Sequence, residues 1–319
     1  MVIHLSNKFI LQQYKTIKNI HEDIVDDSKY GIDSLIFDSF DKQSILEYGF
    51  FKRGLFKPGI VDKFFNETSN RLAYNFFYPL LRKFNHVNHL KVNSVGFDQV
   101  HFEWNSGKRI VSPIDLLLIS SSAKVLLFLE CKHDEPNSDS KFCFSQTYLN
   151  QLESHGMNGL LTTVKKYIQI YEELQENETL TYGAGISQNL RQIISIAINK
   201  GKYKKSSSPY QFHNYIYDDI PDFNDYEIWF GNLLFYEDQN RNLAGAYFKE
   251  NLSFIKKAKI DFHKFGINLI EPISYKTILS ENVDMYKSIG TSYTLFDYLM
   301  HNYFAKNDSN MKKESTEIK

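Results

Sequence analysis

The sequence is poor in cysteine and has no long apolar run. Two cysteines among 319 residues, Cys131 and Cys143, exclude a disulfide framework and are consistent with a reducing compartment. No apolar run approaches the roughly 20 residues that cross a bilayer. The opening residues, MVIHLSNKFI, lack a basic region followed by an apolar segment and a cleavage site. We therefore expect a cytoplasmic protein that does not enter a membrane.

An excess of charge of one sign is also missing. The formal net charge is -1, so binding to a polyanion must come from local basic surface and not from the overall balance. Hydrophobic residues make up 42% and charged residues 24%, which is typical of a globular chain.

We expect an N-terminal helical elaboration over residues 1–60, one domain with C-terminal elements over 61–305, and a disordered tail over 306–319.

Three strand-like runs lie in the middle of the chain: VGFDQVHFEW, KRIVSPIDLLLI and KVLLFLECKH. Their connectors, NSG and SSSA, are short and rich in turn-forming residues, so we expect antiparallel hairpins. The second and third runs are apolar on both faces, which indicates a sheet covered on both sides.

Helical and strand-like patterns surround this meander. The spacing of apolar residues predicts helices over about 61–84, 160–174 and 246–258. RQIISIAINKG reads as a buried strand reached by a crossover, YGAGIS as a turn, YEIWFGNLLFYED as a strand or a pair of strands, and INLIEPISYKTIL as a strand running into a helix. The sequence therefore predicts an α/β fold with a mixed central sheet flanked by helices.

Two acids and a lysine interrupt the apolar meander. If the second hairpin closes through Ser122 and Ala123, Asp115 lies opposite Glu130 on the same side of the sheet, with Cβ atoms roughly 5 Å apart. Lys132 follows Glu130 by two positions and shares that side.

This pair of carboxylates needs a compensating cation, because facing acids in apolar surroundings repel one another and lose solvation. Mg²⁺ prefers hard oxygen ligands and is commonly held by one or two carboxylates. A lysine beside such a site can assist a water molecule and offset charge at a phosphorus centre. The alternative is that Asp115 ends a strand and that Glu130 and Lys132 form a solvated ion pair at the edge of the sheet.

The segments SPID and ECK, on neighbouring apolar strands, resemble the paired motifs of the PD-(D/E)XK, or restriction-endonuclease-like, nucleases. The resemblance implies that Asp115 and Glu130 bind Mg²⁺, with Mn²⁺ as a possible substitute, and that the Cys131 carbonyl adds a ligand. It also implies that Lys132 is catalytic. One departure is that Ile114 separates the proline from the aspartate, which are usually adjacent in the family.

The resemblance extends to the order of elements, since helix, meander, helix and strand over about 61–200 match the family's restriction-endonuclease-like core. Glu67 occupies the place of an acid that the family carries before the meander, and it is a candidate metal ligand. The alternative for Glu67 is simple compensation of a helix dipole. Gln146 resembles a polar helix residue that some members add to the site; the alternative is a solvated loop or cap residue.

The function implied by the resemblance is Mg²⁺-dependent endonucleolytic hydrolysis of DNA by a restriction or defence nuclease. A repair, recombination or transposon-associated nuclease of the same fold is one alternative, and a non-catalytic nucleic-acid-binding module is another. A homodimer is possible in either case. Two groups of lysines are candidate DNA phosphate contacts or, alternatively, solvated surface: Lys165 and Lys166, and Lys202, Lys204 and Lys205.

Overall fold

The computed structural model describes seven stretches of the chain and five single residues. The stretches are residues 86–104, 114–132, 141–180, 183–200, 223–235, 242–289 and 294–300, and the single residues are Ala73, Phe76, Phe77, Leu80 and Phe304. The predicted regions 1–60 and 306–319 lie outside the described residues, as do Glu67 and the lysines at 202, 204 and 205.

A mixed sheet of seven strands organises the described residues. The strands are β1 His86–Val92, β2 Val95–Trp104, β3 Ile114–Ser120, β4 Val125–Lys132, β5 Glu227–Leu234, β6 Ile267–Leu269 and β7 Ile273–Ser274. The sheet order is β1-β2-β3-β4-β5-β6, with β7 also paired to β5. The first four strands pair with one another in antiparallel fashion, whereas β5 joins β4 in parallel and β6 and β7 join β5 in parallel.

Helices lie on both faces of this sheet. They are α1 Gln146–Ser154, α2 Asn158–Glu176, α3 Gly183–Lys200, α4 Asn242–His263, α5 Tyr275–Glu281, α6 Val283–Lys287 and α7 Leu295–Leu299. None of the helices within the described residues is long and apolar enough to cross a membrane.

Each face of the sheet has its own hydrophobic core, because successive side chains of a strand point to opposite faces. Leu117 and Phe128 pack with buried residues of α1–α4 in one core, which we call the helical core. Leu116 and Leu129 pack with buried residues of α5–α7 in the other, which we call the C-terminal core. The predicted α/β class and the sheet covered on both sides are confirmed.

The register of the β3–β4 hairpin is also confirmed. Its pairs run from Ser120 with Val125 at the turn to Leu116 with Leu129, so the next position outward places Asp115 across from Glu130. The hydrophobic pattern of both runs and the short turn dictate this alignment, since a slip of one residue would move every side chain to the wrong face.

The predictions for RQIISIAINKG and YGAGIS were wrong: residues 191–200 form the second half of α3, and residues 183–187, expected in a turn, form the start of that helix. Residues 192–199 are buried without interruption, and a helix buried all round lacks the polar face that reveals a 3.6-residue period. The strand that joins β4 in parallel is β5 instead, so the expected order of helix, meander, helix and strand over about 61–200 was wrong in its last element, which lies at Glu227–Leu234. Strand β1 was not predicted.

A buried histidine on β2 makes folding sensitive to pH. His101 is fully buried, with Nε2 3.2 Å from Oε1 of Gln99. Burial, with a smaller contribution from His86, lowers the pKa of His101 from 6.5 to about 3. The unfolded chain therefore binds a proton between these pH values that the folded chain does not bind, so stability is lost as the pH falls below 6.5.

We predict that the free energy of unfolding of the wild type decreases by about 2 kcal/mol from pH 8 to pH 5 because of His101. Urea unfolding at both pH values should show that His101→Phe lacks this part of the decrease, whatever its absolute stability. The exposed His263 provides the control, since His263→Gln should keep it. An unchanged pH dependence in His101→Phe would contradict the assignment.

Candidate functional site

The candidate site lies where β3 begins and β4 ends. Asp115 is the second residue of β3. Glu130 is the third residue from the end of β4, and Lys132 is the last residue of that strand. Since β4 and β5 are parallel, their carboxyl ends meet at this edge, and α3 crosses the sheet above it.

Glu130 is almost completely buried, with 2% of its surface exposed. Its Oε1 accepts hydrogen bonds from Nζ of Lys132 at 2.7 Å and from Nε2 of Gln188 at 2.6 Å. Its Oε2 accepts a hydrogen bond from Nε2 of Gln192. Gln188 and Gln192 are one helical turn apart on α3, so the carboxylate points into the helical core and is held by three donors.

Asp115 is directed to a different partner. Its Oδ2 accepts the backbone N–H of Cys131 at 2.7 Å. The carbonyls of Lys124 and Lys132 bind backbone amides at the two ends of β5, so by alternation the amide and carbonyl of Cys131 point toward β3. The Asp115 carboxylate therefore takes the place of a backbone acceptor at the end of the hairpin, close to the plane of the sheet.

The side chain of Cys131 lies on the opposite face from Glu130, in the C-terminal core. Burial raises the pKa of the Cys131 thiol well above its usual range, and the negative charge of Asp115 raises it further. The pKa of the Tyr275 hydroxyl is raised by burial and by the neighbouring thiol. Both groups therefore stay neutral at physiological pH, and the charge of the site resides on the two acids and the lysine.

A layer of buried amides continues from Glu130 into the helical core. Asn232 of β5 is the parallel neighbour of Glu130. Its side-chain Nδ2 donates to Oδ1 of Asn189 on α3 at 3.1 Å, and Nδ2 of Asn189 donates to Oδ1 of Asn251 on α4 at 2.5 Å. All three asparagines are fully buried. These bonds lock α3 and α4 to the strand beside Glu130, because a buried amide without a partner is costly.

The donor set of the site fits a hard cation. Asp115, Glu130 and the carbonyl of Cys131 offer oxygen atoms, and Mg²⁺ is usually held by one or two carboxylates with water completing its shell. No group of three or more histidine, cysteine or acidic residues suited to a metal occurs within the part of the chain that the structure describes. Together with Lys132, the two acids have a net charge of -1. A divalent cation bound here would therefore need further oxygen ligands to complete its shell.

The geometry modifies both sequence interpretations of this cluster. Glu130 and Lys132 do form an ion pair, but it is not the solvated pair of the alternative, since only 14% of the Lys132 side chain and 2% of that of Glu130 are exposed. The compensating cation expected between the acids is supplied in part by Lys132 itself.

The other predicted site residues lie elsewhere or outside the described residues. Gln146 is exposed at the start of α1, where its Nε2 donates to Oδ1 of Asn150 at 3.0 Å. Lys165 and Lys166 are exposed on α2. The structure does not describe Glu67 or the lysines at 202, 204 and 205.

Sequence reasoning missed Gln188 and Gln192. Their spacing of four residues marks one face of a helix, but the signal was lost once RQIISIAINKG was interpreted as a strand. The amides of α3, not that of Gln146, hold Glu130 among the described residues.

Comparison with known proteins returned no match among protein-family models, curated proteins or solved structures.

The ion pair generates a prediction about stability. Lys132→Met should lower the free energy of unfolding by about 3–5 kcal/mol, because it leaves the buried Glu130 charge without its cation. The double variant Glu130→Gln, Lys132→Met removes both charges and should recover much of that loss in urea unfolding at pH 7. Equal losses of stability in the single and double variants would show that Lys132 does not compensate the buried charge of Glu130.

Proposed function

We propose that this protein is a Mg²⁺-dependent endonuclease that hydrolyses phosphodiester bonds of DNA, as a restriction or defence nuclease built on a restriction-endonuclease-like core. The observation that carries the proposal is the β3–β4 register, which puts Asp115 across from Glu130 with the Lys132 ammonium 2.7 Å from the Glu130 carboxylate. The resemblance of SPID and ECK to the nuclease motifs rests on the same three residues.

In this proposal Asp115, Glu130 and the Cys131 carbonyl hold the metal. The alternation of β4 points that carbonyl toward β3, on the same side of the strand as the amide that Asp115 binds. A bound Mg²⁺ would polarise a phosphoryl oxygen and lower the pKa of a coordinated water. Gln188 and Gln192 hold Glu130 in one orientation, and in this proposal its oxygens would be shared between these amides and the metal.

Lys132 has two tasks in this arrangement. Before substrate binds, its ammonium neutralises Glu130 in a largely dry environment. When a phosphodiester is bound, the same ammonium can orient the attacking water and offset the charge that develops on the phosphoryl oxygens. A lysine that lies 2.7 Å from one acid and two residues beyond it on the same strand face is well placed for both.

A non-catalytic nucleic-acid-binding module is the second candidate, and one observation favours it. Both oxygens of Glu130 already accept hydrogen bonds from Lys132, Gln188 and Gln192, which is how a purely structural carboxylate is satisfied. This candidate predicts that DNA is retained without cleavage. A nuclease of repair, recombination or transposition on the same fold would instead cut only junctions, flaps or single strands, and a dimer would supply two sites for double-strand cleavage.

The test is cleavage of plasmid and genomic DNA by the purified protein in Mg²⁺ or Mn²⁺. Asp115→Asn and Lys132→Ala should each lower the cleavage rate at least about a hundredfold, because the first weakens the metal site and the second removes the ammonium that offsets charge on the phosphoryl oxygens. EDTA should abolish cleavage.

Asp98 offers a matched control, since it is an aspartate of the same sheet whose carboxylate binds the amide and hydroxyl of Ser121 at 2.7 and 2.8 Å. Asp98→Asn should retain cleavage. Wild-type activity in both Asp115→Asn and Lys132→Ala would remove the site assignment, and DNA binding without any cleavage would favour the non-catalytic module.

A further inference from the structure

The last two turns and the end of α4 carry a strongly basic outer face. The exposed residues between 256 and 264 are Lys256, Lys257, Lys259, Ile260, His263 and Lys264. The opposite side of the helix is buried in the helical core through Phe254, Ala258 and Phe262. The exposed side therefore has no packing role, and its composition is free to serve another purpose.

The one acid in this part of α4 is already neutralised. Oδ2 of Asp261 accepts Nζ of Lys166 on α2 at 2.8 Å, and its Oδ1 accepts Nζ of Lys264 at 3.0 Å. The hydroxyl of Tyr167 donates to the same carboxylate at 3.0 Å, and these hydrogen bonds hold the pKa of Asp261 well below its usual range. Asp261 thus holds α2 beside α4 and brings Lys166 next to the basic face, and Lys165 is the exposed residue before it on α2.

We propose that this basic α2–α4 surface, formed by Lys165, Lys166, Lys256, Lys257, Lys259 and Lys264, docks the phosphate backbone of a DNA duplex. At a rise of about 1.5 Å per residue, Lys256 and Lys264 lie roughly 12 Å apart along α4, and packed helices lie about 8–10 Å apart. Positive charge spread over such an area fits a repeating polyanion better than a single anion, which would need convergent donors.

An anionic membrane is a poorer fit to this surface. Helices that lie on membranes present several large apolar side chains below their basic face. Ile260, at 69% exposure, is the one exposed large hydrophobic side chain among the residues that the structure describes. Compensation of the helix dipole explains His263 and Lys264 but not Lys256, Lys257 and Lys259, which precede the last turn.

The surface extends away from the candidate site. His263 contacts Asn268, which in turn donates to Glu227 at the beginning of β5, whereas Glu130 lies near the carboxyl end of β4. The seven residue steps along β4 from Val125 to Lys132 correspond to about 23 Å. The surface would therefore position a duplex several base pairs from the reacting phosphate, and in this sense the inference rests on the proposed nuclease function.

The experiment measures binding of fluorescent duplex DNA by anisotropy in EDTA, over a series of salt concentrations. Lys256→Gln, Lys257→Gln, Lys259→Gln in one chain should weaken binding at least about tenfold at 0.1 M salt. It should also reduce the slope of log affinity against log salt by about 2–3, since each phosphate contact contributes roughly 0.9. A matched triple variant, Lys91→Gln, Lys276→Gln, Lys287→Gln, changes exposed lysines of β1, α5 and α6 and should bind like the wild type.

Equal losses in the two triple variants, an unchanged slope in the α4 variant, or binding to phosphatidylserine vesicles with none to DNA would each overturn the inference. Because these measurements need no metal and no cleavage, they separate it from the proposed function. DNA binding that depends on the basic α2–α4 surface, by a chain that does not cut DNA, would contradict the proposed nuclease and support the surface. Cleavage of DNA, together with unchanged DNA affinity in the α4 triple variant, would support the nuclease and overturn the surface.

Discussion

The arrangement of the site depends on one buried negative charge. Glu130 is enclosed between the sheet and α3, and its carboxylate is compensated by Lys132 and two glutamine amides. A buried charge is tolerated only when it is paired and fully hydrogen-bonded. The position of α3 over the carboxyl end of β4 is therefore constrained by this carboxylate as well as by hydrophobic packing, and the adjoining Asn189–Asn232–Asn251 bonds add a second polar constraint between the same helix, β5 and α4. Chains that lacked these bonds would bury the same apolar area with more freedom for α3 to slide.

The sheet separates two environments across a single strand. Successive residues of β4 place Glu130 among the amides of the helical core and the Cys131 thiol against Tyr275 in the C-terminal core. Asp115 lies at the boundary: it binds the Cys131 amide between the strands, and its charge is felt by the thiol on the far face. This division keeps the thiol buried and neutral, on the face opposite to Glu130. It also leaves oxygen atoms, and not sulfur, as the groups that the end of the hairpin can offer to a cation, which is the preference of Mg²⁺.

Much of the fold and part of the site could be predicted because they depend on local patterns. The β3–β4 register followed from turn length and alternation, and that register alone brought Asp115 and Glu130 together. The α2 helix followed from its amphipathic period. The α3 helix could not be predicted in the same way, since it is buried on every side and its β-branched residues mimic a central strand. Gln188 and Gln192 were lost with it, and no local pattern indicates that amides 58 and 62 residues away along the chain will reach Glu130. The partner of Asp115 depends on a backbone amide, which carries no sequence signal at all.

The ion pair and the metal hypothesis are two solutions to the same electrostatic problem, and they are compatible. Asp115, Glu130 and Lys132 together carry one net negative charge in a setting where water is scarce. A divalent cation alone would reverse that sign to one positive charge, and a phosphodiester, which carries one negative charge, would then restore neutrality. Lys132 thus makes metal binding weaker in the absence of substrate and more favourable in its presence, because the phosphate supplies both oxygen ligands and the balancing charge. In the proposed nuclease, a site built in this way would assemble its full complement of charges only on DNA, which would restrict the chemistry to the bound substrate.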